Sequence, residues 1–256
     1  MIRHPRGAMV PLAVLTAVLM GSPALAQQFN SDSWLSKDPG VATIILTAGE
    51  RNSTFMTTFS LLPKWEFTVA SFLYNDDENR LTVDGYSTTV YAKYMFLQNT
   101  AKTGGAAVKF GTGLRPGEVA EEETDNQDAF RTLWANAPMT LPLLNNKVSV
   151  DLMPGVSMTS NFGEDESVAW SFTYSGRVAW YAWSPTTSIV GEVFGSEGQA
   201  TAIPEYKLGL RWEPNPSVVW AVTYGREFAG DGSNNAKFEA GLMLFTPPIW
   251  CFRGCK

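Results

Sequence analysis

The chain has 256 residues, 45% of them hydrophobic and 12% aromatic but only 17% charged, where an ordinary soluble domain carries about 25%. A formal net charge of −6 speaks against a nucleic-acid binder built on phosphate contacts. Fifteen Phe, nine Trp and eight Tyr exclude disorder, and a mean hydropathy of −0.08 excludes a bundle of membrane helices, which leaves all-β folds, soluble or membrane-embedded.

Residues 1–26 read as a secretory signal peptide. Arg3 and Arg6 form a basic start, 8–20 is apolar but for Pro11 and Thr16, and Ala24-Leu25-Ala26 is a small-x-small site with cleavage expected after Ala26. No Cys follows that site, so the lipoprotein route is not indicated. The apolar part is short of the roughly 20 residues a spanning helix needs. Past Gln27 no apolar run is long enough to span, so membrane residence must use strands. Removing the leader removes Arg3, Arg6 and the single histidine, His4, leaving 17 basic and 25 acidic residues, a net charge of −8 and no imidazole.

Residues 27–40 are polar and irregular and end in a Pro-Gly break; they are expected at or in the periplasmic mouth of a barrel. From Val41 onward the hydrophobic period is two, the mark of strands with unlike faces. Tyr206, Leu208, Leu210 and Trp212 alternate with Glu205, Lys207, Gly209 and Arg211, and Val218, Trp220, Val222 and Tyr224 with Val219, Ala221, Thr223 and Gly225. Ser175-Gly176 resembles a turn, yet parity runs unbroken from Val168 through Trp170, Phe172 and Tyr174 to Val178 and Trp180, which predicts one long strand. Strands are expected near 41–49, 54–62, 64–74, 85–97, 105–115, 128–141, 146–159, 167–183, 187–195, 204–213, 217–227 and 235–245. Short links alternate with longer loops rich in acid or glycine, the pattern of an outer-membrane barrel with periplasmic turns. The expected fold is an all-β, single-domain transmembrane antiparallel barrel of about twelve strands at 41–245, followed by a periplasmic tail at 246–256.

A soluble barrel turns its apolar parity inward, and a membrane barrel turns it outward. The apolar parity here is rich in aromatics near strand ends (Trp65, Tyr94, Phe96, Trp212, Tyr224), as interfacial girdles require. The opposite parity holds Gly, Ala, Ser and Thr. The membrane orientation therefore places Glu66, Lys93, Lys109, Arg131, Lys147, Asp151, Arg177, Glu192, Glu205, Lys207, Arg211, Lys237 and Glu239 in the lumen. Two roles fit these charges: pairing that stiffens the wall, or a polar constriction that selects solutes.

The absence of histidine from the exported chain removes imidazole-dependent acyl transfer and proteolysis, so no enzyme is expected. Glu205 and Glu239 offer only a pattern of inward carboxylates. The acidic loops at 75–78, 118–128 and 164–166 lack EF-hand spacing and read as solvated surface. Cys251 and Cys255 follow the last strand. An even count in an exported protein suggests a small disulfide; a metal or redox site would need further ligands.

The run Val90-Tyr91-Ala92-Lys93-Tyr94-Met95-Phe96, followed by Ala107-Val108-Lys109-Phe110-Gly111-Thr112-Gly113-Leu114-Arg115-Pro116-Gly117, resembles the outer-membrane barrels grouped as the MetA-pathway of phenol degradation transporter-like family. Leu62-Pro63-Lys64-Trp65-Glu66-Phe67 matches the same family's early hairpin. The resemblance implies a channel for small, often hydrophobic or aromatic molecules and assigns no functional residue. The Cys-containing tail, and a chain that continues past the aromatic Phe245, depart from the family habit.

The functional expectation is a monomeric outer-membrane channel of a Gram-negative bacterium, exported by the Sec route, passing small solutes without metal or cofactor. Its expected partners are outer-membrane lipids, the solutes and the outer-membrane assembly machinery, and no nucleic acid. A non-conducting structural or adhesion barrel is the alternative, favoured by a lumen filled with paired charges and Tyr181 or Trp183. A soluble periplasmic ligand-binding barrel is the third.

Overall fold

The computed structural model describes residues 32–33, 35–75, 83–113, 130–161, 167–198, 202–229 and 237–250. Cys251, Cys255, the leader and most of the acidic loops lie outside them. Fourteen strands follow in order: β1 Ala42–Gly49, β2 Asn52–Leu62, β3 Trp65–Asn75, β4 Val83–Gln98, β5 Gly105–Gly113, β6 Thr132–Asn136, β7 Met139–Leu143, β8 Val148–Leu152, β9 Gly155–Asn161, β10 Ser167–Ser184, β11 Thr187–Gly198, β12 Ala202–Asn215, β13 Val218–Glu227 and β14 Lys237–Phe245. Every pairing is antiparallel, and β1 pairs with β14, closing the sheet.

The fourteen segments make twelve staves. β6 and β7 are two halves of one stave, interrupted at Ala137-Pro138, and β8 and β9 are halves of the next, interrupted at Met153-Pro154. Proline has no N–H to give the ladder, and here two such residues sit side by side. The carbonyls still bond: Ala137 N–H donates to Pro154 O at 2.8 Å, and Ala107 N–H to Pro138 O at 2.9 Å. Parity passes through both breaks, with Trp134, Asn136 and Thr140 buried around the first and Asp151, Met153 and Ser157 around the second. The Ser175-Gly176 pair does not turn the chain. β10 runs 18 residues without interruption, pairing with β9 and β8 on one flank and β11 on the other.

Closure matters because unpaired backbone groups in hydrocarbon cost several kcal/mol each. The faces then decide what the barrel is embedded in. Trp170, Phe172, Val178, Trp180, Leu208, Leu210, Trp212, Trp220 and Val222 are all exposed on the outside. Lys93, Lys109, Asp151, Arg177, Glu192 and Glu205 are buried inside. This inverts the arrangement of a soluble barrel, which would hold its apolar parity in the interior. Aromatics gather at both rims. Trp65 stacks near Tyr94 (4.8 Å between centroids) and Phe110 (6.4 Å) beside the short turns. Tyr224 with Phe238 (5.2 Å) and Tyr206 with Phe228 (5.1 Å) lie at the long-loop end. Two belts flanking an apolar band are what a bilayer's two interfaces select. No helix among the described residues is long and apolar enough to cross a membrane.

Candidate functional site: a charged and plugged lumen

The interior has two unlike walls. Ile45, Met56, Ala70, Val219, Met243 and Phe245 pack as a buried apolar cluster along β13, β14, β1, β2 and β3. Charged and small polar side chains line most of the remaining circumference, with smaller apolar contacts at Met95–Ala107 and at Ala179–Val190–Ala221. Asp151 on β8 faces Arg177 on β10, Arg177 faces Glu192 on β11, and Glu192 faces Lys207 on β12, all as direct cross-strand partners. Sign alternates at each step. Arg177 clamps Asp151 through Nε (3.0 Å) and Nη2 (2.8 Å), and Thr140 Oγ1 donates to the same carboxylate. Lys207 bridges to Glu239 at 3.1 Å. Towards the long loops Arg51 pairs with Glu205 at 2.9 Å, and towards the short turns Arg211 pairs with Glu213 at 3.1 Å, with Tyr181 donating to Glu213 at 2.9 Å. Buried charges persist only when paired in this way.

A segment that belongs to no strand enters from the short-turn end. Its turn at Pro39-Gly40 needs glycine, since Gly40 has φ +95° and a Cβ there would fall 2.2 Å from the Trp250 carbonyl oxygen. Lys37 N–H donates to Glu66 Oε1 at 2.8 Å, and the Lys37 ammonium sits 3.8 Å above the Phe245 ring. Burial pushes that ammonium below the ordinary lysine range, opposed first by the Glu66 carboxylate. Ser36 Oγ donates to Lys64 O, and Lys93 Nζ donates to the Leu35 carbonyl at 2.9 Å. Asp32, buried, lies between two lysines: Lys93 Nζ is 3.5 Å from Oδ1 and Lys109 Nζ is 3.2 Å from Oδ2. Lys93 also pairs with Glu66 at 2.7 Å. Beside this contact, among Leu35, Lys37, Thr58, Glu66, Lys93 and Met243, a void of about 20 Å³ remains. That is room for about one water.

Of the charges the sequence placed inside, Glu66, Lys93, Lys109, Asp151, Arg177, Glu192, Glu205, Lys207 and Arg211 are buried, and Glu239 joins them through Lys207. Two depart. Arg131 lies in the turn before β6, one residue out of phase with the inward Thr132, and is half-buried. Lys147 is exposed in the turn before β8. Glu205 and Glu239 do not stand as a free acid–base pair, because each carboxylate is held by a cation. Tyr181 turns inward, but Trp183 is 71% exposed and stacks 5.8 Å from Trp180, where the ladder shifts register near the end of β10. Asp32 and Glu213 were missed. A surplus of inward cations over carboxylates in the sequence was the available signal for both.

No protein-family model matches the chain, and no curated protein matches it. Among solved structures, the NanC porin is 8% identical, with 80% of this chain and 97% of that one covered at a TM-score of 0.47. An outer membrane channel from Pseudomonas putida F1 is 13% identical, with 83% and 97% covered at a TM-score of 0.46. A porin refined at 1.8 Å is 11% identical, with 77% and 62% covered at 0.35.

Proposed function

We propose that this chain is a channel-like barrel of a Gram-negative outer membrane that passes small solutes, with residues 32–40 as a stopper entering from the periplasmic side. The inverted faces carry the reading: an apolar exterior and a polar interior suit a wall between lipid and water. The two-walled interior suits solutes with an apolar body, such as small aromatic molecules, in line with the family the sequence resembles. On this reading the short turns lie at the periplasmic end, where the stopper ends at Gly40 and β1 begins, and the leader at 1–26 supplies Sec-dependent export. No catalytic role is assigned to the lumen charges.

At its inner end the stopper is held by the ion pairs of Asp32 with Lys93 and Lys109, beside Leu35 packed on Met95 and Ala107, so weakening the ion pairs opens the lumen. In planar bilayers, the Asp32→Ala variant of the protein purified from membranes shows larger and longer openings than the unaltered protein. Absence of conductance and of solute flux in both forms would overturn the channel. It would leave the non-conducting structural barrel, which the paired charges and the small residual void favour.

A further inference from the structure

The contact between Asp32 and its two lysines has the form of a ligand in a site. We propose that Lys93 and Lys109 form a binding subsite for small carboxylates with an aromatic body, which Asp32 fills as a tethered stand-in. The inference rests on the channel reading, because a solute reaches these lysines only when the stopper withdraws.

Three observations carry it. The first is the disposition of charge: Glu66 lies 2.7 Å from Lys93, whereas the carboxylate at Lys109 is that of Asp32, 3.2 Å away. Withdrawing the stopper takes a carboxylate from a buried ammonium that the wall holds in place, and an incoming carboxylate replaces that ion pair in kind. The second is aromatic: Lys109 Nζ lies 4.3 Å from the Tyr91 ring centroid and 5.8 Å from that of Trp134, and the two rings meet at 5.4 Å. An aromatic acid binding through its carboxylate places its ring against these faces. The third is a polar atom left over on the same wall. Trp134 Nε1 is buried with no hydrogen-bond partner among the described residues, two positions along β6 from Asn136, the cross-strand neighbour of Lys109. A buried donor left open in this way costs free energy that a ligand oxygen recovers.

Because Asp32 is tethered, it competes at an effective concentration of about millimolar, so external acids bind the unaltered protein weakly. The probes are benzoate and its neutral isostere benzamide, followed by Trp fluorescence and by isothermal calorimetry in detergent. In Asp32→Asn, benzoate binds at least about tenfold more tightly than in the unaltered protein, benzamide does not gain, and adding Lys109→Gln abolishes the gain. Asp32→Ala supplies a second arm that needs no change in the barrel wall: acetate raises its thermal midpoint more than equimolar chloride does, and more than it raises that of the unaltered protein. Equal responses to benzoate and benzamide in Asp32→Asn, or no selective effect of acetate on Asp32→Ala, overturn the subsite. Both measurements are of binding, so a barrel that binds benzoate but never conducts refutes the channel while leaving the subsite standing. A barrel that conducts without discriminating does the reverse.

Discussion

Leu208 lies near the middle of β12, outside the barrel, 56% exposed, with Gly191 and Tyr224 as its neighbours on the flanking strands. In water, replacing such a residue by arginine changes stability by roughly ±0.5 kcal/mol. In a bilayer the same guanidinium sits near the hydrocarbon midplane, where the cost is about 2–4 kcal/mol. At about 1.4 kcal/mol per tenfold, Leu208→Arg lowers the folding equilibrium constant in phospholipid vesicles by about 30- to 700-fold. Leu143, the last residue of β7 and 49% exposed beside a short turn, supplies the control: Leu143→Arg costs about 0–1 kcal/mol near the interface. The assay is reversible guanidinium unfolding in vesicles, followed by tryptophan fluorescence and by the mobility difference between folded and unfolded barrels on gels. Equal costs at the two positions, or a Leu208→Arg protein that folds in buffer without lipid or detergent, would refute the assignment of the outer face to lipid.

Two further expectations concern the interior. Arg177→Met leaves Asp151 and Glu192 without the guanidinium between them, and costs about 3–5 kcal/mol; adding Asp151→Asn restores part of the loss, and a double variant no more stable than the single one would count against the alternating arc. Gly111→Ala brings a methyl within 2.5 Å of Tyr91 Cβ and 2.6 Å of the Val90 carbonyl oxygen, so it lowers stability by about 1–3 kcal/mol and weakens the near-ultraviolet circular dichroism of the Tyr91–Trp134 pair, whereas an unchanged spectrum would show that the pair does not depend on that glycine.

The period-two pattern made the barrel legible because each strand has one lipid face and one lumen face, and the unbroken parity across Gly176 settled the longest strand. The positions of the buried strand charges other than Glu213 followed from the same parity, since Glu205, Lys207 and Arg211 share one side of β12. Parity fails where it has no strand to act on. Arg131 and Lys147 sit in turns, where a residue's phase no longer fixes its direction. Trp183 shares the inward parity of Tyr181, but a local register shift turns it outward. Asp32 lies in an irregular segment whose composition reads like any polar leader, and its role depends on lysines that are 61 and 77 residues away. The apolar inner wall was also hidden, because Ile45, Met56 and Met243 come from separate strands and form a patch only after closure.

The alternating arc Asp151, Arg177, Glu192, Lys207 bears on how the staves find one another during assembly. A slip of one residue between neighbouring strands sends every side chain to the wrong face, so lipid itself rejects it. A slip of two keeps lipid faces and lumen faces intact, and hydrophobicity cannot detect it. The charges can. Sliding β11 by two residues along β12 sets Glu192 against Glu205 in one direction and against Gly209 in the other. The same error between β10 and β11 sets Arg177 against Val190 or Phe194. Each mistaken alignment leaves a buried charge unmatched or facing its own sign. The interior of the barrel thus works as a combination lock for strand alignment: even-numbered errors are refused by charge, as odd-numbered ones are by oil.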